Sequence, residues 1–494
     1  MRLFETILIL AVVAAALAQM TEIATSWSQP LTLLAVLLGT WHVAREGTYL
    51  QMSPALVGLL VLVAWQLVPM RLRVSLSHTM KMRSALAVVL LCVMSFGLLL
   101  LVPMFVLPKP TGPYPVGTRI IYLEDSSRIE DAGQHSGLRR ELMVQIWYPA
   151  NPSNNHLAAY QRLSETNLAT SYRSALWTNS RVDAPIAENG GPFHVLLFNH
   201  GWGGRRTQDT FLTEDLASHG YVVAAIDHTY NAGRVALPGD RIIDNTTGYG
   251  PIDASKHTAI EIKNTWNKEL RRWVDDEVFV LSALQNENAD SKSFWYGRLN
   301  TDRAGALGHS FGGAAAIQVC SVDRRIQSAL NMDGWTFGDI QYRPFNQPTM
   351  LLYEKSNHPR GQDLATATAE SRTLYELDAS DEKEVDASLK QYGGYKLYVS
   401  DTSHMDFTDH PLITPWSRWV HPGHISPARI QTIVRAYVLD FFDETIRGEK
   451  PSLFESGNPS RFHEVKMEKW DPAAKGTLVG ADHNTDDAPG NHPQ

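Results

Sequence analysis

The sequence predicts an α/β domain, a mostly parallel sheet covered by helices on both faces, behind an apolar N-terminal helical region. Three observations predict it. From about residue 117 onward, short apolar runs alternate with amphipathic stretches, the pattern of successive βαβ units. One run, Ala304 to Leu307, enters Gly308-His309-Ser310-Phe311-Gly312 and leaves through the small residues Ala314 to Ala316, which reads as strand, tight turn, helix. Lastly, apolar residues crowd into the first hundred or so positions of a chain whose 494 residues exceed one average domain.

The N-terminal region spans residues 1–108 and reads as about four transmembrane helices. Ser84 to Leu107 is a 24-residue stretch without a charge, long enough to cross a bilayer. Tyr49 to Met70 is similarly uncharged, while Leu8 to Met20 and Leu31 to Val43 are shorter. A signal peptide ending at Ala16-Leu17-Ala18 is the alternative for the first segment. Further apolar segments follow at once, which favours a multi-pass anchor. Arg71, Arg73, Lys81 and Arg83 gather between the last two spans. The positive-inside tendency makes that loop cytoplasmic and places the rest of the chain on the extracytoplasmic side. Arg2 and Arg45 run against this orientation.

Residues 109–116 form a stiff Pro- and Gly-rich linker. The catalytic domain is expected over 117–465. Arg119 to Leu123 and Glu141 to Tyr148 alternate as strands do. Phe193 to Phe198 and Tyr221 to Ile226 are continuous apolar runs, as in buried parallel strands. Between them, Thr210 to Ser218 reads as a helix closed by His219-Gly220. Residues 229–260 are rich in Gly, Asn, Asp and Pro and read as an irregular excursion. Lys268 to Leu284 has helical periodicity, with Trp273, Val274, Val278 and Leu281 on one face. After the serine turn come strands at Ser328 to Met332, Thr349 to Tyr353 and Tyr395 to Val399. A helix from Pro427 to Thr445 closes the domain. Residues 466–494 are polar and read as a disordered tail.

Composition excludes some partners. The net charge is −8, and no basic stripe is interleaved with aromatics, so nucleic acid is not expected. Cys92 and Cys320 are the two cysteines and form neither a zinc spacing nor a disulfide framework. Two histidines and two aspartates lie in His404 to His410, but no second cluster completes a metal site. No cofactor is implied, and nothing in the pattern specifies an oligomer.

The chemistry follows from what a serine hydroxyl needs: a base, an acid to orient it, and donors for an oxyanion. Ser310 sits in a turn whose crowding excludes side chains at Gly308 and Gly312. The acid expected is Asp333, at the end of a strand 23 residues after the serine. Asp323 and Asp339 compete, the first on the opposite edge of the sheet and the second beyond the strand end. The base expected is His404, in the loop after the last parallel strand; His410, His421 and His424 lie further from any strand end. The oxyanion donors expected are the backbone N–H groups of Phe311 and Trp202. The latter lies in Asn199-His200-Gly201-Trp202-Gly203-Gly204, a loop lacking the Lys-Ser/Thr of a phosphate-binding loop.

With these residues in place, the chain resembles the platelet-activating factor acetylhydrolases of the plasma and type II kind, on the α/β-hydrolase fold. The likeness runs from about Leu142 to Phe442. It rests on Val144-Gln145-Ile146-Trp147-Tyr148-Pro149, Phe198-Asn199-His200-Gly201 and Leu216-Ala217-Ser218-His219-Gly220-Tyr221-Val222-Val223-Ala224-Ala225. It rests also on Gly308-His309-Ser310-Phe311-Gly312-Gly313, Met332-Asp333-Gly334-Trp335 and Ser403-His404. The resemblance implies calcium-independent hydrolysis of short or oxidised acyl chains from the middle position of a glycerophospholipid. It gives Ser310, Asp333 and His404 the triad roles, and Trp202 and Phe311 the oxyanion hole. The substrate is then a lipid or small ester. Trp202 departs from the usual Leu, and the apolar N-terminus and the 229–260 excursion lie outside the family pattern. A general carboxylesterase or polyester hydrolase is the enzymatic alternative; a non-catalytic membrane receptor or scaffold is the alternative from another class.

Overall fold

The computed structural model describes residues 3–20, 25–69, 77–102, 104–130, 137–245, 254–338, 347–354, 368–413, 425–454 and 461–471. It opens on four helices: α1 (Leu3–Ala18), α2 (Thr25–Glu46), α3 (Ser53–Leu67) and α4 (His78–Leu101). They pack through small and branched residues such as Val12, Ala15, Ala55, Ala85 and Val88. The four helices expected from sequence are present. Among the described residues, α4 is the helix long and apolar enough to cross a membrane; α1 and α3 are apolar but span 16 and 15 residues. The last helix stops at Leu101, six residues before the end of the uncharged run. Pro103 follows in the sequence, and the residue before a proline is disfavoured in a helix. Arg71, Arg73 and Arg2 lie outside the described residues.

The linker is docked onto the domain. The Arg435 guanidinium donates to the carbonyls of Pro108 and Lys109, and Thr111 N–H donates to Asp215 at 2.7 Å. After it come β1 (Val116–Ile129), β2 (Arg139–Pro149), β3 (Leu157–Ala159), β4 (Trp177–Val182), β5 (Phe193–Asn199), α5 (Thr210–Ser218) and β6 (Tyr221–Asp227). A small hairpin, β7 (Val235–Leu237) with β8 (Arg241–Ile243), lies within the excursion. Next are α6 (Ala259–Ala289), β9 (Leu299–His309), α7 (Phe311–Val322), β10 (Ile326–Met332) and β11 (Thr349–Glu354). The domain ends with α8 (Ala369–Tyr392), β12 (Gly394–Val399), α9 (Pro427–Phe442) and β13 (Val465–Trp470).

Eleven strands form one sheet in the order β13-β12-β11-β10-β9-β5-β6-β2-β1-β4-β3. From β6 to β12 every neighbour is parallel; β2 and β13 join antiparallel at either side. The two-residue alternation of the pleat sorts each strand between two cores. In β5, Leu196 and Phe198 face Phe211, Leu212, Tyr437 and Phe441 of α5 and α9. Val195 and Leu197 face Trp273, Leu281 and Ala314 of α6 and α7. Helices therefore cover both faces, as the apolar runs predict.

Besides β3, β4 and the β7–β8 hairpin, which the sequence reading does not include, three elements differ from it. Helix α6 begins at Ala259, inside the expected irregular stretch, because Thr258 and Glu261 form a capping box. Helix α8 was not anticipated: it is highly charged and buries only Leu377, Val385, Ser388 and Leu389, too few for a clear stripe. Strand β13 carries the ordered domain to Trp470, past the expected limit at 465, by pairing with β12. The expected tail beyond 471 lies outside the described residues.

Candidate active site

Strand β9 delivers Ser310 at its C-terminal end, and α7 starts at the next residue. Ser310 has φ 55° and ψ −125°, a conformation costly for a side-chain-bearing residue. Surrounding backbone holds it there. A Cβ on Gly308 would lie 2.3 Å from the Gly312 backbone, and one on Gly312 would lie 2.3 Å from Asn199 O. Ser310 N–H donates to Met332 O at 2.8 Å, tying the turn to the end of β10.

Asp333 follows β10 directly, again with positive φ (59°). Asn331 braces this turn by accepting from Gly334 N–H at 2.9 Å and donating to Gly334 O at 2.8 Å. Asp333 Oδ1 accepts from Glu354 N–H at 3.0 Å, and Oδ2 meets His404 Nδ1 at 2.6 Å. His404 opens a short 3-10 turn, His404–Phe407, capped by Asp406, which accepts from Ser403 N–H at 2.8 Å. Burial alone would lower the His404 pKa. The Asp333 hydrogen bond and charge outweigh it and hold the imidazole above its ordinary value.

The loop after β5 lies against the serine: a Cβ on Gly201 would come within 3.3 Å of Ser310 Cβ. Gly203 adopts φ 72°, and Gly204 N–H closes a tight turn onto Gly201 O at 2.7 Å. Among the described residues, the N–H groups of Trp202 and Phe311 make no hydrogen bond to a protein group.

Ser310, Asp333, His404, Trp202 and Phe311 all line one cavity of about 440 Å³. Its walls are aromatic, with Trp266, Trp335, Phe337, Tyr353 and Tyr398. The Trp202 and Trp266 rings meet edge-on at 4.6 Å between centroids. Carboxylates line it too: Glu354 from β11, and Asp378, Asp381 and Glu382 from α8. Trp335 Nε1 donates to Asp378, and Thr336 N–H donates to Asp381 at 2.5 Å. Burial pushes the Asp381 pKa up to about 7. The sequence reading missed this wall because α8 carries three of its four carboxylates; the acidic spacing of residues 378–382 was its only signal.

The rival candidates go elsewhere. Asp323 pairs with Arg325 at 2.5 Å. Asp409 accepts from Thr210 N–H and Phe211 N–H at 2.8 and 3.2 Å. His410 opens a separate one-turn helix, His410–Ile413. Asp339, His421 and His424 lie outside the described residues.

A serine turn, an Asp–His pair and a glycine loop at the carboxyl ends of parallel strands can be compared with known proteins. The family model described as platelet-activating factor acetylhydrolase, isoform II, matches residues 102–447. The chain belongs to this family. A probable 1-alkyl-2-acetylglycerophosphocholine esterase of Arthroderma benhamiae is 27% identical over 400 residues, covering 73% of this chain and 93% of that one. The platelet-activating factor acetylhydrolase of Bos taurus is 28% identical over 291 residues, covering 50% of this chain and 59% of its own length. Among solved structures, a ferulic acid esterase from Streptomyces cinnamoneus matches with a TM-score of 0.58 and 30% identity, over 74% of this chain and 99% of that one. The acetylhydrolase resemblance read from sequence is borne out, and this family member is a carboxylic ester hydrolase on an α/β fold.

Proposed function

We propose that the chain is a membrane-anchored serine esterase that releases short or oxidised acyl groups from glycerophospholipids without calcium. The observation that carries this reading is the 2.6 Å His404–Asp333 pair in one cavity with a strained Ser310. Ser310 Oγ attacks the ester carbonyl as His404 Nε2 takes its proton. Asp333 holds the imidazolium that forms. The N–H groups of Trp202 and Phe311 receive the oxyanion, which makes a divalent cation unnecessary for charge stabilisation. One such donor is worth about 3–4 kcal/mol in the transition state. His404 then protonates the departing alcohol, and water, activated by the same imidazole, releases the acyl group from Ser310.

The substrate class follows the relatives named above, and the cavity supports it. Aromatic faces and carboxylates together suit a cationic head group. Membrane anchoring is supported by α4 and by large apolar side chains exposed on the outer faces of the helices, among them Leu33, Leu37, Leu60, Leu86 and Leu90. Lys81 and Arg83, at the start of α4, support a cytoplasmic N-terminal end for that helix and an extracytoplasmic hydrolase domain.

A second reading is a general carboxylesterase acting on simple or aryl esters, favoured by the aromatic lining and the ferulic acid esterase match. The deciding experiment assays the full chain in detergent on phospholipids of graded acyl length and on non-phospholipid esters, with Ser310→Ala as control and EDTA in one arm. The proposal expects preference for short-chain phospholipid and no loss in EDTA. Equal or better turnover of simple esters would transfer the assignment to the second reading.

A further inference from the structure

One side chain joins the loop that carries the oxyanion donor to the loop that carries the base. Gln208 Oε1 accepts from Gly201 N–H at 2.9 Å, and Gln208 Nε2 lies 2.8 Å from His309 Nδ1. His309 Nε2 lies 2.8 Å from the carbonyl oxygen of His404. A carbonyl can only accept, so Nε2 carries the ring proton and Nδ1 is the acceptor for the Gln208 amide. The opposite amide orientation would set two donors face to face at Gly201 and leave His404 O without its donor. All three bonds are satisfied in one arrangement only. The Gln208 backbone carbonyl also accepts from Asp409 N–H at 3.0 Å. Gln208 thus holds Asp409 directly and His404 through His309. The fit is close: a Cβ on Gly204 would lie 2.0 Å from Gln208 Oε1.

We propose that Gln208 is a positioning residue for acyl transfer, locking His309 in one tautomer and thereby fixing the oxyanion loop and the His404 backbone relative to each other. The inference rests on the triad reading above. His309 suits a fixed spacer, because burial lowers its pKa to about 3 and keeps it neutral. The titratable groups that face it are His404 and Asp333, and its ring lies 4.5 Å from that of His404. Gln208 touches no reacting atom. Its effect is on geometry, where a misplacement of about 1 Å costs on the order of 10²-fold in rate.

The test compares Gln208→Leu and Gln208→Glu with the wild-type full chain in detergent, measuring kcat and KM for p-nitrophenyl acetate across pH. Gln208→Leu removes both side-chain bonds and should lower kcat by about 10–100-fold, with KM nearly unchanged. Gln208→Glu still accepts from Gly201 N–H, but sets a carboxylate oxygen against the His309 Nδ1 lone pair. That contact and the bond to His404 O hold together only when His309 carries both ring protons, since a neutral ring must give up one of them, so the ratio of variant to wild-type kcat should fall as pH rises. A purely structural role would lower the ratio evenly. Should the Leu variant not fold, the near-isosteric Glu variant decides alone. Variants matching wild type in kcat and pH profile, or a pH-independent ratio for Gln208→Glu, would overturn the proposal. The triad reading fails separately, if Ser310→Ala keeps wild-type activity.

Discussion

Replacing Asp333 with Asn should cost far more than one surface charge. Asp333 divides its two oxygens between Glu354 N–H at 3.0 Å and His404 Nδ1 at 2.6 Å. Asparagine has one oxygen. If that oxygen keeps the Glu354 N–H, the amide –NH₂ faces His404 and donates to Nδ1. The ring proton is then forced onto Nε2, and no lone pair remains to take the Ser310 proton. If the amide flips, two donors oppose each other at the end of β11, an arrangement costing about 1–3 kcal/mol. Either way the base is lost or the strand end strained. A wrong-tautomer histidine lowers kcat by roughly 10³–10⁴, about 4–5.5 kcal/mol of barrier. The assay is kcat and kcat/KM of the full chain in detergent on a chromogenic short-chain ester, from pH 5 to 9. The pH sign also follows. In the proposed mechanism the working base is neutral His404, and Asp333 raises its pKa above the ordinary 6.5. In wild type, kcat/KM therefore climbs with pH through a midpoint above that value. In the variant the residual activity should climb through a lower one, because the cause of the rise is gone. A variant within tenfold of wild-type kcat, with its midpoint unmoved, would refute the reasoning.

Other outcomes follow from the same structure. Gly308→Ala places a methyl 2.3 Å from the Gly312 backbone; urea titration should show a loss of about 1–3 kcal/mol, and esterase activity should collapse. Trp202→Ala keeps the backbone donor but removes an aromatic wall, so KM should rise while kcat falls less than about tenfold; a loss near the 10²–10³ of a deleted oxyanion donor would contradict a backbone role. Asp381 is protonated in the folded state to about pH 7 against an ordinary 3.8, so folding stability contributed there falls as pH rises between those values. Thermal melts of Asp381→Asn should lose that slope, since the amide oxygen can still accept from Thr336 N–H.

What was legible in the sequence was whatever left a local trace. The parallel strands showed as apolar runs because both faces are buried. The serine turn showed because steric crowding demands glycine at 308 and 312, and Asp333 and His404 showed through their places after strand ends. Helix α8 left almost no trace. It packs on the domain through four buried residues, and its acidic side chains, which a sequence pattern reads as solvated, line the cavity. Strand β13 hid in a polar tail because an edge strand needs only one buried face. The Gln208–His309–His404 chain was invisible for another reason: its members are about 100 residues apart, and only the fold brings their polar atoms within 3 Å. The N-terminal region shows the reverse case. Apolar composition suggested about four spans, whereas length and apolarity together leave α4 as the one that meets the requirement among the described residues: α1 and α3 are too short, and the 22-residue α2 is not apolar enough.

The central claim is that Ser310 is the nucleophile of acyl transfer. The measurement that tests it most directly is covalent labelling of the full chain by a fluorophosphonate, with the modified peptide mapped by mass spectrometry. The account predicts one adduct, on Ser310, formed at a rate that follows the pH profile of hydrolysis and abolished in Ser310→Ala and His404→Ala. An adduct on another residue, or undiminished ester hydrolysis by Ser310→Ala, would contradict it.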